Sequence, residues 1–138
     1  MVNNVFWPAV AMALLSAIVW LRLYWVRIPE MRRRKIQPQS LAQSAQRDTA
    51  FEDTRASDNF KNLFELPVLF YLALFVAHAS GQVGSTVVFL AWLFVALRWL
   101  HSGIQCSYNR VMHRFTIYLL GGVVLWLLWA LLAYGLSV

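Results

Sequence analysis

The sequence predicts an all-α membrane protein, an antiparallel bundle of four transmembrane helices forming a single domain over residues 1–138. Three observations predict it. The chain is 60% apolar and only 13% charged, against roughly 45–50% apolar and about 25% charged for an ordinary soluble domain. Residues 1–21, 66–97 and 115–138 contain no Asp, Glu, Lys or Arg. A soluble fold must coat itself with polar side chains, and blocks this long leave too few to do so. The middle block also exceeds one membrane crossing and is broken at 79–85 by Ala-Ser-Gly-Gln-Val-Gly-Ser, a run of small and glycine residues that signals a turn. A net charge of +6 could suggest nucleic acid, but the charges sit beside apolar blocks, so no nucleic-acid partner is expected. The surroundings are membrane lipids.

A helix needs about 20 apolar residues to cross a hydrocarbon core of about 30 Å. The first span is predicted at about 5–28, and with no basic residue ahead of it, it reads as an uncleaved span rather than a signal peptide. A connector over 29–56 follows; its stretch 36–54, rich in Gln, Ser and Ala, is expected to be mobile or loosely helical. The second span runs over about 57–78, and Pro67 should bend it by removing the amide that would bond the carbonyl of Leu63. The third covers about 86–105 and the fourth about 115–136.

Basic residues set the expected orientation. Arg32, Arg33, Arg34, Lys35, Arg47, Arg55 and Lys61 surround the first connection, and Arg110 and Arg114 the last, whereas the 79–85 turn and both termini carry none. The basic connections therefore belong in the cytoplasm, with both termini outside it. One cysteine, Cys106, excludes an internal disulfide, and scattered His78, His101 and His113 argue against a metal site. A four-span multidrug transporter would need a carboxylate in the first span, and none stands before Glu30.

Three polar clusters fall at the cytoplasmic ends of spans, where ionisable groups face a cavity, a partner or the interface. On the second span Arg55, Asp58, Asn59, Asn62 and Glu65 form one stripe, with Glu65 the only carboxylate expected in the interior. On the third, Arg98, His101 and Gln105 share a face with Ser102 beside them. On the fourth, Arg110, Arg114 and Tyr118 recur at i, i+4 and i+8, followed by Gly121 and Gly122. Two arginines directed at one place repel unless an anion lies between them, and their planar forks suit carboxylates. The bland alternatives are that Arg110 snorkels to lipid headgroups and that Glu65 only neutralises a neighbouring cation. Together the clusters describe a pocket for a small zwitterion or anion, with apolar walls open to a co-substrate from the bilayer. Such a cationic pocket favours the thiolate form of a bound thiol.

The run Asn59-Phe60-Lys61-Asn62-Leu63-Phe64-Glu65-Leu66-Pro67-Val68-Leu69-Phe70-Tyr71, with Arg98-Trp99-Leu100-His101 and the Arg114-to-Tyr118 spacing, resembles the MAPEG family, membrane-associated proteins in eicosanoid and glutathione metabolism, and above all its short bacterial members. The resemblance covers nearly the whole chain. It implies a homotrimer in the bacterial inner membrane, with glutathione bound at subunit boundaries near the cytoplasmic face. It further implies a glutathione transferase or peroxidase acting on apolar electrophiles from the bilayer. Carried over residue by residue, Asn62, Glu65, Arg98, His101, Gln105, Arg110 and Tyr118 would hold glutathione, Arg114 would be the catalytic arginine at its sulfur, and Arg32 is the loosest match, to an arginine at the end of the first span. Two positions depart from the family pattern. Asp58 stands where an arginine is expected four residues before Asn62, and Gln105 replaces a tyrosine. Exchanging an anion-binding arginine for an aspartate reverses the local charge and can remove several kcal/mol of affinity. These departures keep a second expectation open: a non-catalytic accessory subunit or lipid-binding scaffold of a larger membrane complex.

Overall fold

The structure, a computed structural model, describes residues 4–42 and 49–137. Its long elements are α1 (Phe6–Arg34), α2 (Arg55–Asn62), α3 (Leu66–Ala79), α4 (Ser85–Cys106) and α5 (Val111–Ser137), with one 3₁₀ turn at Pro38–Leu41. No strand occurs among the described residues. Among the described residues four segments are long and apolar enough to cross a membrane: α1, α2 with α3, α4, and α5. Residues 43–48, part of the connector expected to be mobile or loosely helical, lie outside the described residues.

The first helix continues to Arg34 instead of ending near Ile28. Its 29 residues make a rod of about 43 Å, longer than a hydrocarbon core of about 30 Å, so the last turns project beyond it. It stops where Lys35 takes a left-handed conformation (φ 53°) and the amides of Lys35 and Ile36 donate back to the carbonyls of Arg32 and Met31, the two-bond arrangement that commonly closes helices.

The second crossing is broken rather than bent. Pro67 occupies the first turn of α3, where its missing amide is harmless, and the chain between α2 and α3 tightens into i to i−3 bonds, Phe64 to Lys61 and Glu65 to Asn62. Glu65 sits in the break with φ −95° and ψ −107°. In the 80–84 turn Gly81 holds φ 71°, a region where a side chain is strained. Before α5, Asn109 takes φ 48°, a conformation asparagine tolerates better than most residues, and the helix then begins at Val111, a turn earlier than expected.

Contacts between elements fix the topology. Trp99 donates its indole N–H to the carbonyl of Ala11, and Arg22 reaches the carbonyl of Cys106, so α1 and α4 run parallel. Phe70 stacks on Phe94 at 4.5 Å while Asn59 meets Ser102, so the second crossing runs against α4. The Phe6 ring lies 4.8 Å from that of His78, which brings the N-terminal end of α1 to the same side as the 80–84 turn. The two basic connections therefore share the opposite side.

The core joins Met12, Leu15 and Val19 of α1 to Phe70 and Leu74 of α3, Phe94 of α4, and Leu125, Leu128 and Leu132 of α5. Trp7, Trp25, Phe75, Phe89 and Trp126 stay exposed on the outside of the chain, as lipid-facing residues do.

The C-terminal part of the connector is anchored to α1. Glu30 is 7% exposed and accepts from the Glu52 amide at 2.7 Å and from Arg34 at 3.3 Å. Arg34 also donates to the Ala50 carbonyl, and the Arg27 guanidinium covers the buried Phe51 ring at 4.6 Å. The expectation that Glu65 is the only interior carboxylate is thereby corrected. Within the chain Glu30 is buried and Glu65 exposed, because the break at Pro67 turns Glu65 outward while the returning connector covers Glu30.

Candidate functional site

A ladder of polar contacts runs between the second crossing and α4. Asn59, 0% exposed, accepts from the Ser102 hydroxyl at 3.1 Å and donates to the Cys106 sulfur at 3.4 Å. One turn on, Asn62 donates to the Gln105 carbonyl oxygen at 3.1 Å.

Beyond Asn62 the ladder opens into a cavity of about 210 Å³, lined by Asn62, Glu65, His101, Val111, Arg114, Phe115 and Tyr118. Each arrives for a local reason. Glu65 hangs in the break ahead of Pro67, and Arg114 and Tyr118 are one turn apart on α5. His101 comes from α4 with its ring 5.6 Å from that of Tyr118. The Tyr118 hydroxyl donates to Glu65 at 3.2 Å. Arg114 spends one N–H on the Asn109 side chain at 2.9 Å, which aims the guanidinium and leaves its other donors available.

Arg98 stands behind this cavity rather than on its wall. It is 1% exposed, and its guanidinium lies over the rings of Tyr118 at 4.7 Å and Phe94 at 5.3 Å. Its three nitrogens meet no hydrogen-bond acceptor among the described residues, so the ring faces are its main electrostatic partners. A Cβ at Gly121 would make only ordinary contact with its Nε, at 4.0 Å.

The structure thus brings Asn62, Glu65, His101, Arg114 and Tyr118 together on one cavity. Gln105 is buried behind it, bonded to Asn62. Arg110 is exposed ahead of α5 and Arg32 lines a different depression at the end of α1, so neither joins the cavity within the chain. Arg55 begins α2 but is occupied: it grips Asp53 through two contacts of 2.9 and 2.8 Å and donates to the Ser107 carbonyl. This grip holds the Asp53 carboxyl below its ordinary value of 3.8.

Three contributors escaped the sequence reading. Val111 and Phe115 form the apolar rim, and the early start of α5 is what places Val111 there. Asn109, the residue that orients Arg114, stands in the Ser-Tyr-Asn turn, where its side chain reads as turn chemistry rather than as a site.

A family model, that of the MAPEG family, matches residues 5–134. No curated protein and no solved structure matches the chain.

Proposed function

Because the chain belongs to the MAPEG family and is an integral multi-pass membrane protein, we propose that it is a membrane-bound glutathione-dependent transferase or peroxidase acting on apolar electrophiles drawn from the bilayer. The observation that carries this reading is the cavity that sets Arg114, Tyr118, Glu65, Asn62 and His101 around one volume beside an apolar rim.

The donor set suits a zwitterionic thiol. Glu65 takes the ammonium group, Asn62 and His101 offer hydrogen bonds to amides and carboxylates, and the free donors of Arg114 hold the thiolate. Arg98, behind the Tyr118 ring, adds positive potential to the same volume. Val111 and Phe115 give an apolar electrophile its approach. At about 210 Å³ the cavity falls short of the roughly 300 Å³ at the small end of ligand sites. A tripeptide would need further walls, which neighbouring subunits of a homotrimer would supply. On this reading the basic connections lie in the cytoplasm of a bacterial inner membrane and both termini outside.

A specific observation favours a second reading, an accessory subunit or lipid-binding scaffold of a larger membrane complex. Asp58 puts a negative charge where an anion-binding arginine is expected, and Arg55 is already held by Asp53 and the Ser107 carbonyl.

The purified protein is titrated with glutathione while ultraviolet thiolate absorbance and turnover of a generic electrophile are followed. The enzyme reading expects saturable thiolate formation, and Arg114→Gln should lower turnover about 10²–10³-fold, the usual effect of removing a donor from a developing anion, while the protein stays folded. No thiolate signal at millimolar glutathione would sink it, and co-purification with a partner complex would then support the scaffold.

A further inference from the structure

The cluster Arg32-Arg33-Arg34-Lys35 does not act as one block of charge. Arg33 lies 3.4 Å from Glu52 and Arg34 3.3 Å from Glu30, so two of the four are internally paired. Arg32 and Lys35 are exposed, and their side chains meet no acceptor among the described residues. Both line an open depression of about 490 Å³ whose remaining wall is largely apolar, formed by Ile28, Met31, Ile36 and Pro38 with Gln37 between them.

The way α1 closes builds this depression. Left-handed Lys35 reverses the chain, the Ile36 amide bonds back to Met31, and Pro38 returns toward the helix. No acidic residue among the described residues lines it. The acids at this end of α1 gather around a separate depression, lined by Glu30, Glu52 and Asp53.

Depth selects the occupant. From Phe6 to Arg27 the helix rises about 33 Å, which already spans a hydrocarbon core of about 30 Å. A core of that thickness beginning at Phe6 puts Ile28 to Pro38 at headgroup level, with apolar side chains beside two cations that meet no acceptor among the described residues. Soluble phosphate would gain from the cations alone, whereas a lipid gains from both.

We propose that this depression binds one anionic phospholipid, its phosphate between Arg32 and Lys35 and its glycerol and upper acyl carbons on Ile28, Met31, Ile36 and Pro38. The inference uses none of the cavity residues around Arg114, and it assigns to lipid phosphate Arg32, the loosest of the glutathione matches, which lies outside that cavity.

The full chain in neutral detergent is titrated with phosphatidylglycerol or phosphatidylcholine of identical acyl chains, and retained lipid is counted by native mass spectrometry. One phosphatidylglycerol per chain should be retained in preference to phosphatidylcholine. Arg32→Gln with Lys35→Asn, the latter keeping a residue that tolerates the left-handed conformation, should weaken retention at least about tenfold, given the roughly fivefold contribution of each interfacial cation. Arg33→Gln, a control at a paired arginine, should leave it unchanged. Should the double variant fail to fold, Arg32→Gln alone, outside the helix-closing residue, should weaken retention about fivefold. Excess inorganic phosphate should not displace the lipid; displacement would assign the site to a soluble anion and overturn the proposal. Equal retention of the two lipids, or retention unaltered in the variants, would overturn it as well.

Discussion

The two ends of the bundle are built from the same four crossings but held together differently. Toward the termini and the 80–84 turn, the contacts are apolar: Met12 and Leu74 are fully enclosed, and Leu128 and Leu132 of α5 are 0% exposed. Toward the basic connections, side-chain hydrogen bonds join the helices, Asn59 to Ser102 and Cys106, Asn62 to Gln105, and Tyr118 to Glu65. In lipid the apolar end gains little from leaving its solvent, so its cohesion depends on close packing. The polar end gains modestly from each bond, but each bond is directional. The difference teaches that one end supplies cohesion while the other sets register and places chemistry.

The strongest way to break this comparison is a cavity in the apolar end. Leu128→Ala should destabilise the protein by about 2–5 kcal/mol, read as a lower thermal midpoint in detergent, while glutathione affinity of the folded fraction stays within about twofold. A loss of affinity matching the loss of stability would erase the division of labour.

A smaller effect should sharpen it at the polar end. Asn62→Leu leaves the buried Gln105 amide without its partner, at about 1–3 kcal/mol, and Gln105→Leu leaves the half-buried Asn62 amide at the cavity, at the lower end of that range. The double substitution should cost less than the two singles together, with a coupling near the roughly 0.6 kcal/mol average for hydrogen bonds within membranes. A double-mutant cycle in thermal unfolding measures it. Strict additivity would show that the bond contributes nothing to register.

The smallest effect is the pH response of the Asp53–Arg55 grip. The Asp53 carboxyl titrates below 3.8 in the folded protein because Arg55 donates to it. Its contribution is therefore complete above about pH 4 and is lost as pH falls through the lowered value. Both side chains are partly exposed, at 28% and 40%, which limits the contribution to about 1 kcal/mol or less. Asp53→Asn should flatten that acid limb of a stability-versus-pH curve, and an unchanged limb would mean the grip is screened by solvent.

Much of the candidate site was legible because helical periodicity is a local property. Asn59 and Asn62 recur at three-residue spacing on α2, and Arg114 and Tyr118 at four on α5, so their shared faces follow from geometry alone, whereas Glu65 reaches the cavity from the break ahead of Pro67. Gln105, which departs from the family pattern, also shares its predicted face, and only the fold reveals it as the partner of Asn62. Arg110 sits on the same stripe as Arg114 on paper, yet the turn through Asn109 ends the stripe before reaching it. The early start of α5 escapes a reading that bounds the fourth span at the edge of the uncharged block, which begins only after Arg114.

The sequence by itself determined that the described chain is helical, that four segments are long and apolar enough for a membrane, and that their polar residues collect at one end. Those properties depend on composition and on spacing within a single helix. Only the tertiary structure decided that Glu30 is enclosed while Glu65 lines a cavity, that Arg98 is sealed behind Tyr118, that Arg55 is tied to Asp53, and that of four successive basic residues Arg33 and Arg34 are paired while Arg32 and Lys35 meet no acceptor among the described residues. Each of these depends on which distant segment comes within about 3–5 Å, a matter of chain path through a break, a left-handed turn and a returning connector, and no periodicity in the sequence encodes such a distance.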